Sequence, residues 1–139
     1  MQQSTDISGY KEKQDNIKEL KITPSLEVVE NEYEGEDYLV ELKTNEFTTV
    51  CPKTGLPDFA VVTIWYKPAP YLVEQKSLKL YLTGYRNIGI FQEHATNKIL
   101  EDFIACVKPK WAKIETVWNA RGGIDVRVER EYGDSLLVL

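Results

Sequence analysis

Cysteine and histidine are scarce in this chain: two Cys, at positions 51 and 106, and one His, at position 94, among 139 residues. The cysteines form no Cys-x-x-Cys pair, so a zinc site of the usual Cys/His kind within one subunit is not expected. No disulfide framework is needed either, because a chain of this length buries roughly 68–70% of the surface that its unfolded form exposes. Long apolar runs are missing, and none approaches the ~20 residues that cross a bilayer. The first residues, Met1 to Asp6, lack a basic n-region and an apolar h-region, so the expectation is a cytoplasmic protein with neither membrane span nor secretion signal. Positive charge is in the minority, 17 Lys and Arg against 22 Asp and Glu, a formal net charge of −5. That balance opposes direct capture of a nucleic acid, whose affinity comes mainly from basic residues displacing counterions, while leaving room for a small nucleotide in a locally basic pocket. No Gly-x-Gly-x-x-Gly follows a strand and no Gly-x-x-x-x-Gly-Lys-Ser/Thr occurs, which disfavours a doubly wound nucleotide-binding fold.

What is present reads as one domain, 42% apolar and 28% charged. Residues 1–36 are polar with scattered apolar positions (Ile17, Leu20, Ile22, Leu26, Val28, Val29) and read as an arm with little core of its own, holding at most a short helix or strand. Residues 37–139 carry the domain. Tyr38 to Val50 reads as extended, with Thr44-Asn45 as a bulge or turn. Phe59 to Tyr66 is rich in β-branched and aromatic residues between prolines, a strand. Leu78, Tyr81, Leu82 and Tyr85 follow helical spacing over Lys76 to Tyr85, with Gly84 weakening the end. Phe91, Ala95, Ile99, Phe103 and Val107 recur every four residues, widened by Leu100 and Ile104 and stopped by Pro109, so a second helix is predicted there. Trp111 to Trp118 and Ile124 to Tyr132 read as strands around Gly122-Gly123, a pair that suits a tight reversal or close approach to a ligand. The order β-β-α-α-β-β, with helices grouped in the middle, predicts an α+β fold: an antiparallel sheet of about four strands with two helices on one face.

Each candidate for chemistry has two readings. Cys51 ends a strand and heads Cys51-Pro52-Lys53-Thr54-Gly55-Leu56-Pro57-Asp58, as either a thiolate nucleophile with Lys53 and Asp58 at hand or a small buried residue. Cys106, on the last turn of the long helix beside Phe103, reads as packing. Glu74-Gln75-Lys76 begins a helix, as an anion site or as solvated capping residues. Gln92-Glu93-His94 opens the next helix, where Glu93 either accepts from a purine-like donor edge or favours the helix dipole. His94 is more a partner to a neighbouring side chain than a metal ligand. Arg121-Gly122-Gly123 is either a phosphate clamp or a turn with a surface Arg.

Taken together, in this order, these segments resemble the single-module QueF family of NADPH-dependent 7-cyano-7-deazaguanine reductases. The resemblance runs from about Tyr38 to Tyr132. It is carried by Glu46-Phe47-Thr48, Cys51-Pro52-Lys53-Thr54-Gly55 with Pro57-Asp58-Phe59-Ala60, Glu74 to Tyr81, Tyr85-Arg86-Asn87, Phe91-Gln92-Glu93-His94 and Arg121-Gly122-Gly123-Ile124. It implies the tunnelling fold, and a decamer of two stacked pentamers whose active sites lie at subunit interfaces. By position it implies Cys51 as the nucleophile that forms a covalent thioimide with the nitrile and Asp58 as the acid that delivers a proton. Val73, Glu74, Gln75, Gln92 and Glu93 match contacts to the 7-deazaguanine base. Gln75, Lys76, Arg121 and Gly122 match contacts to NADPH, of which two are consumed per turnover. This chain departs from the usual pattern at Gln75, Gln92 and Ala120. The competing expectations are an amidine-forming relative that attacks the same nitrile without NADPH, and a noncatalytic purine-binding protein, which would have no use for a paired nucleophile and acid.

Overall fold

The computed structural model describes residues 16–134; residues 1–15 of the expected arm and 135–139 of the expected domain lie outside the described residues. Four long strands, β2 (Val40–Val50), β3 (Pro57–Lys67), β5 (Trp111–Arg121) and β6 (Ile124–Gly133), form one antiparallel sheet in the order β2-β3-β5-β6. Helices α1 (Gln75–Thr83) and α2 (Gln92–Val107) fall between β3 and β5 in sequence, as the β-β-α-α-β-β reading requires. Two short strands add to that reading: β1 (Val28–Glu30) and β4 (Tyr71–Val73) pair antiparallel as a separate ribbon, Val28 opposite Val73.

Alternation decides which way the sheet faces. Ala60, Val62, Ile64 and Tyr66 of β3 and Ala112, Ile114, Thr116 and Trp118 of β5 all point inward and are buried. They meet Ala95, Ile99, Leu100, Phe103 and Val107 of α2, the four-residue stripe legible in the sequence, with Leu78, Tyr81 and Leu82 from α1. Burial of each Val, Leu, Ile and Phe side chain among them contributes about 1.5–3 kcal/mol. α2 stops because Lys108 takes the left-handed conformation, φ 54°, just ahead of Pro109; that turn frees the chain to enter β5.

A polar relay ties the helices together inside this core. The Tyr81 hydroxyl donates to Asp102 Oδ2 at 2.6 Å and lies 2.8 Å from the Tyr85 hydroxyl. Burial, with Tyr85 and Asp102 beside it, pushes Tyr81 far above the ordinary tyrosine range, so it remains a neutral donor. Lys98 joins Asp102 (3.3 Å) to the Lys18 carbonyl (3.1 Å), fastening the chain before β1 to α2. The described part of the expected arm is therefore laid on the body, and Ile22 is part of the core.

The ladder between β2 and β3 shifts register between Thr44 and Phe47, where the sequence predicts a bulge. A bulge re-aims everything after it. Beyond it Phe47 and Thr49 point inward and are buried, and the same period of two turns Cys51 toward the inner side at the strand's end. Across the ladder, Asp58 sits opposite Thr49 and shares its face.

Candidate active site

One end of the sheet gathers most of the predicted chemistry. Cys51, Pro52 and Thr54 from the β2–β3 connection, Asp58 from the start of β3, Phe91, Gln92 and Glu93 from the start of α2, and Arg121, Ile124 and Val126 from β5 and β6 line a cleft of about 320 Å³.

The loop that carries Cys51 is closed on itself. The Cys51 amide donates to the Leu56 carbonyl and the Gly55 amide donates back to the Cys51 carbonyl, both at 2.8 Å. Gly55 makes this closure at φ 73°, where a side chain would be strained. On the other flank Val50 donates to the Ile88 carbonyl and accepts from the Ile90 amide, each at 3.0 Å, so the segment after α1 braces the strand end. Burial pushes the half-buried Cys51 thiol up, and the nearby Asp58 charge adds to that. Hydrogen bonds from the Thr54 hydroxyl and from the Thr54 and Lys53 amides outweigh both, and the thiol's pKa lies below its ordinary value. A thiol so placed is a better nucleophile at neutral pH than a free one.

Asp58 is buried, and its carboxylate is held by Arg121, whose Nη1 lies 2.5 Å from Oδ1 and donates also to the Pro57 carbonyl at 3.1 Å. Gly122 and Gly123, at φ 60° and 79°, form the two-residue reversal between β5 and β6, with Arg121 paired to Ile124 across it. Both central residues at positive φ mark the turn that matches the twist of the flanking strands.

Gln92 and Glu93 occupy the first turn of α2, which no side chain caps at Phe91. This end of the helix is pinned to β5 through the Thr96 hydroxyl, which donates to the Gln92 carbonyl at 2.9 Å and lies 2.6 Å from the Thr116 hydroxyl. Glu93 is exposed at the cleft mouth, and among the described residues no side chain bonds its carboxylate. His94 stacks its edge on Phe91 but lines a different depression, with Asn97, Glu101 and Arg130. Cys106 packs against the core as expected, its thiol pushed up by burial.

The remaining predicted residues lie elsewhere on this chain. Val73 sends its side chain into the core. Glu74 caps α1: its Oε1 accepts the Ser77 amide at 2.7 Å and its Oε2 the Lys76 amide at 3.0 Å. Of the two readings of this helix start, the structure shows the capping one: its first amides are taken by this chain's own carboxylate. Gln75 and Lys76 are exposed beyond it, and Gln75 lines a groove between α1 and the bulged part of β2 that shares no residue with the Cys51 cleft. Two residues escaped the sequence reading as site residues. Thr54 was visible only as a loop position, and Thr49, whose buried Oγ1 has no partner among the described residues, could have been found by counting back two from Cys51.

A single antiparallel sheet with two central helices packed against it defines an α+β protein, and at the end of that sheet a thiol of lowered pKa and a buried carboxylate share one cleft. A family model described as QueF-like protein matches residues 57–136, more than half of the chain. The chain belongs to this QueF-like family. A protein of Chloroherpeton thalassium is 53% identical over 77% of this chain and 92% of its own length, and one of Syntrophus aciditrophicus is 50% identical over 83% and 82%. A third, of Chlorobaculum tepidum, is 47% identical over 79% and 94%, and all three are named NADPH-dependent 7-cyano-7-deazaguanine reductase. A crystal structure of the archaeosine synthase QueF-Like in the apo form superposes with a TM-score of 0.65 at 29% identity, covering 69% of this chain and 94% of that one.

Proposed function

We propose that this protein is an NADPH-dependent 7-cyano-7-deazaguanine reductase, converting the nitrile to 7-aminomethyl-7-deazaguanine in queuosine biosynthesis. The observation that carries the reading is the activated Cys51 thiol sharing one cleft with the buried Asp58 carboxylate, in a chain about half identical to reductases along most of their length.

The chemistry follows from the groups. A nitrile carbon is a poor hydride acceptor until a nucleophile adds and the nitrogen is protonated. Addition of Cys51 with proton delivery through Asp58 gives a thioimide and splits one hard step into easier ones. The Glu93 carboxylate at the cleft mouth suits the donor edge of a deazaguanine base, and Gln92 lies beside it. NADPH supplies the hydride, two equivalents for a nitrile taken to an amine. The residues of α1 fit its anionic groups by charge: Lys76 and Lys79 are exposed on neighbouring turns, without an ion-pair partner among the described residues, next to Gln75. Arg121 is taken up by Asp58, which leaves Lys76, Lys79 and Gln75 as the better candidates on this chain for holding the cofactor.

The active enzyme is a homo-oligomer, on this reading a decamer of two pentamers with sites shared between subunits. Two facts support sharing. The Cys51 cleft contains none of Val73, Glu74, Gln75 and Lys76, and β2 and β6 are both edge strands in the described chain, open to continuation by a neighbour. No helix of the described residues is long and apolar enough to cross a membrane, which fits action in the cytoplasm.

The structural likeness to an archaeosine synthase keeps one second reading in play, an amidine-forming enzyme working on the same nitrile. Purified protein mixed with 7-cyano-7-deazaguanine and NADPH separates the two. Two NADPH oxidised per amine formed, with a covalent adduct seen by mass before cofactor is added and lost in Cys51→Ala, is the expected result. An adduct without NADPH oxidation favours the second reading, and neither signal leaves a noncatalytic binder.

A further inference from the structure

Arg121 and Asp58 are far apart in sequence and meet through the sheet register. β3 and β5 align Ala60 with Trp118, and carrying that register to the strand ends brings Pro57 and Asp58 across from Ala120 and Arg121. The guanidinium then uses one nitrogen for both the Pro57 carbonyl and Asp58 Oδ1. The backbone from which it reaches is fixed, because Arg121 is the last paired residue before the two-glycine reversal. Exposure is uneven: the Asp58 side chain is 8% exposed and that of Arg121 36%. The carboxylate is thus the enclosed partner, and the arginine closes it from the solvent side. Among the described residues no side chain bonds Oδ2, and the cleft that Asp58 lines is the one that holds Cys51.

We propose that Arg121 is a positioning residue that acts through Asp58, fixing the carboxylate beside the Cys51 thiol so that it carries the thiol proton to the nitrile nitrogen. This rests on the reading of Cys51 as the nucleophile toward a nitrile, and it reassigns Arg121 from the cofactor contact that family resemblance implies. The step balances within the site. The S–H bond breaks and its proton passes to the Asp58 carboxylate. The S–C bond forms, one nitrile π bond breaks, and its electron pair on nitrogen takes that proton, returning Asp58 to its charged form. Nothing is oxidised or reduced, so the step proceeds without NADPH. An arginine that serves only the cofactor has no influence on it.

That independence gives the test. The rate of adduct formation with 7-cyano-7-deazaguanine is followed by intact mass without NADPH, in wild type, Arg121→Met, Arg121→Lys, Asp58→Asn and the Asp58→Asn/Arg121→Met double variant. Arg121→Met is expected to slow the adduct about 10- to 100-fold, the penalty of a misplaced catalytic group, and Arg121→Lys, which keeps the charge and a donor, to fall between. In the Asp58→Asn background the arginine change should add no further loss, since coupled residues are non-additive. If Arg121→Met does not fold, Arg121→Lys decides by the same readout. A wild-type adduct rate in the arginine variants, with only a raised NADPH requirement, overturns the proposal and restores the cofactor role. Independent, multiplying losses in the double variant overturn it as well. Absence of any adduct in the wild-type protein defeats the nitrile reading itself, and this proposal with it.

Discussion

The Thr54 hydroxyl hydrogen-bonds the Cys51 sulfur, and with the Thr54 and Lys53 amides it brings the thiol's pKa below the ordinary value against the opposing effect of burial. The loop from Cys51 to Leu56 thereby does two jobs: its backbone bonds fix where the sulfur sits, and its donors stabilise the thiolate. Hydrogen bonds to the charged form lower a pKa, so removing one raises it. Thr54→Val should shift the pH dependence of Cys51 alkylation to higher pH and slow adduct formation near neutrality, with the two curves converging at alkaline pH where the thiol is ionised in both proteins. Iodoacetamide rates measured across pH give the answer, and an unmoved midpoint would remove Thr54 from the site.

Family resemblance implies Glu74 as a contact to the base, while its place at a helix start also reads as a cap, and in this chain it is the N-cap of α1, accepting from two amides. Loss of an N-cap costs about 0.5–2 kcal/mol. Glu74→Ala should therefore lower the free energy of unfolding by that much, read as a lower denaturation midpoint at unchanged slope, whatever it does to the base. Glu74→Asp, which can still cap, should recover most of the stability. A Glu74→Ala protein as stable as wild type would mean that the cap is replaced by other acceptors.

How much of this was legible in the sequence follows the range of the interactions. The α2 stripe from Phe91 to Val107 and the β3 run from Phe59 to Tyr66 repeat a local period many times, and the structure has both elements within two residues of the reading. The bulge at Thr44 was visible because polar residues interrupt the alternation. β1 and β4, three residues each, are too short to show any period, and Tyr71 to Val73 follow two prolines. In the site, Cys51 and Asp58 flank one short connection, Cys51 just after β2 and Asp58 at the start of β3, and could be paired by inspection. The bond between Asp58 and Arg121 could not, since only the sheet register creates it. Nor could the place of Val73, which lies in a three-residue strand paired with β1.

Gly84 is where the segment before β1 crosses the end of α1. A Cβ there would stand 2.6 Å from the Thr23 carbonyl oxygen and 2.9 Å from Ile22 Cγ2. The backbone at Gly84 is ordinary helix, φ −61°, so close approach alone demands the glycine. Overpacking against a backbone atom costs about 1–3 kcal/mol. Gly84→Ala should lower stability by that amount, and amide exchange should rise over residues 16–30 more than in the four-stranded sheet. A substitution tolerated with unchanged exchange would show that this segment lifts away at little cost.

The division of the candidate residues between two separate clefts leads to a test with mixed subunits. Cys51→Ala lacks the nucleophile, and a Lys76→Ala/Lys79→Ala protein lacks the positive charge proposed for the cofactor. Each alone should be inactive or nearly so. If the halves of a site come from adjacent subunits through a head-to-tail interface, co-expression of the two variants in equal amounts builds about a quarter of the sites from one intact half of each. Activity should then reappear toward that fraction of wild type, with a nearly normal NADPH requirement in the restored sites. If both halves belong to one chain, no mixture contains an intact site and the co-expressed protein stays as inactive as its parents. Because the two variants are altered at opposite ends of the chemistry, recovery depends on shared sites and not on relief of a folding defect, provided each parent elutes as the same oligomer as wild type.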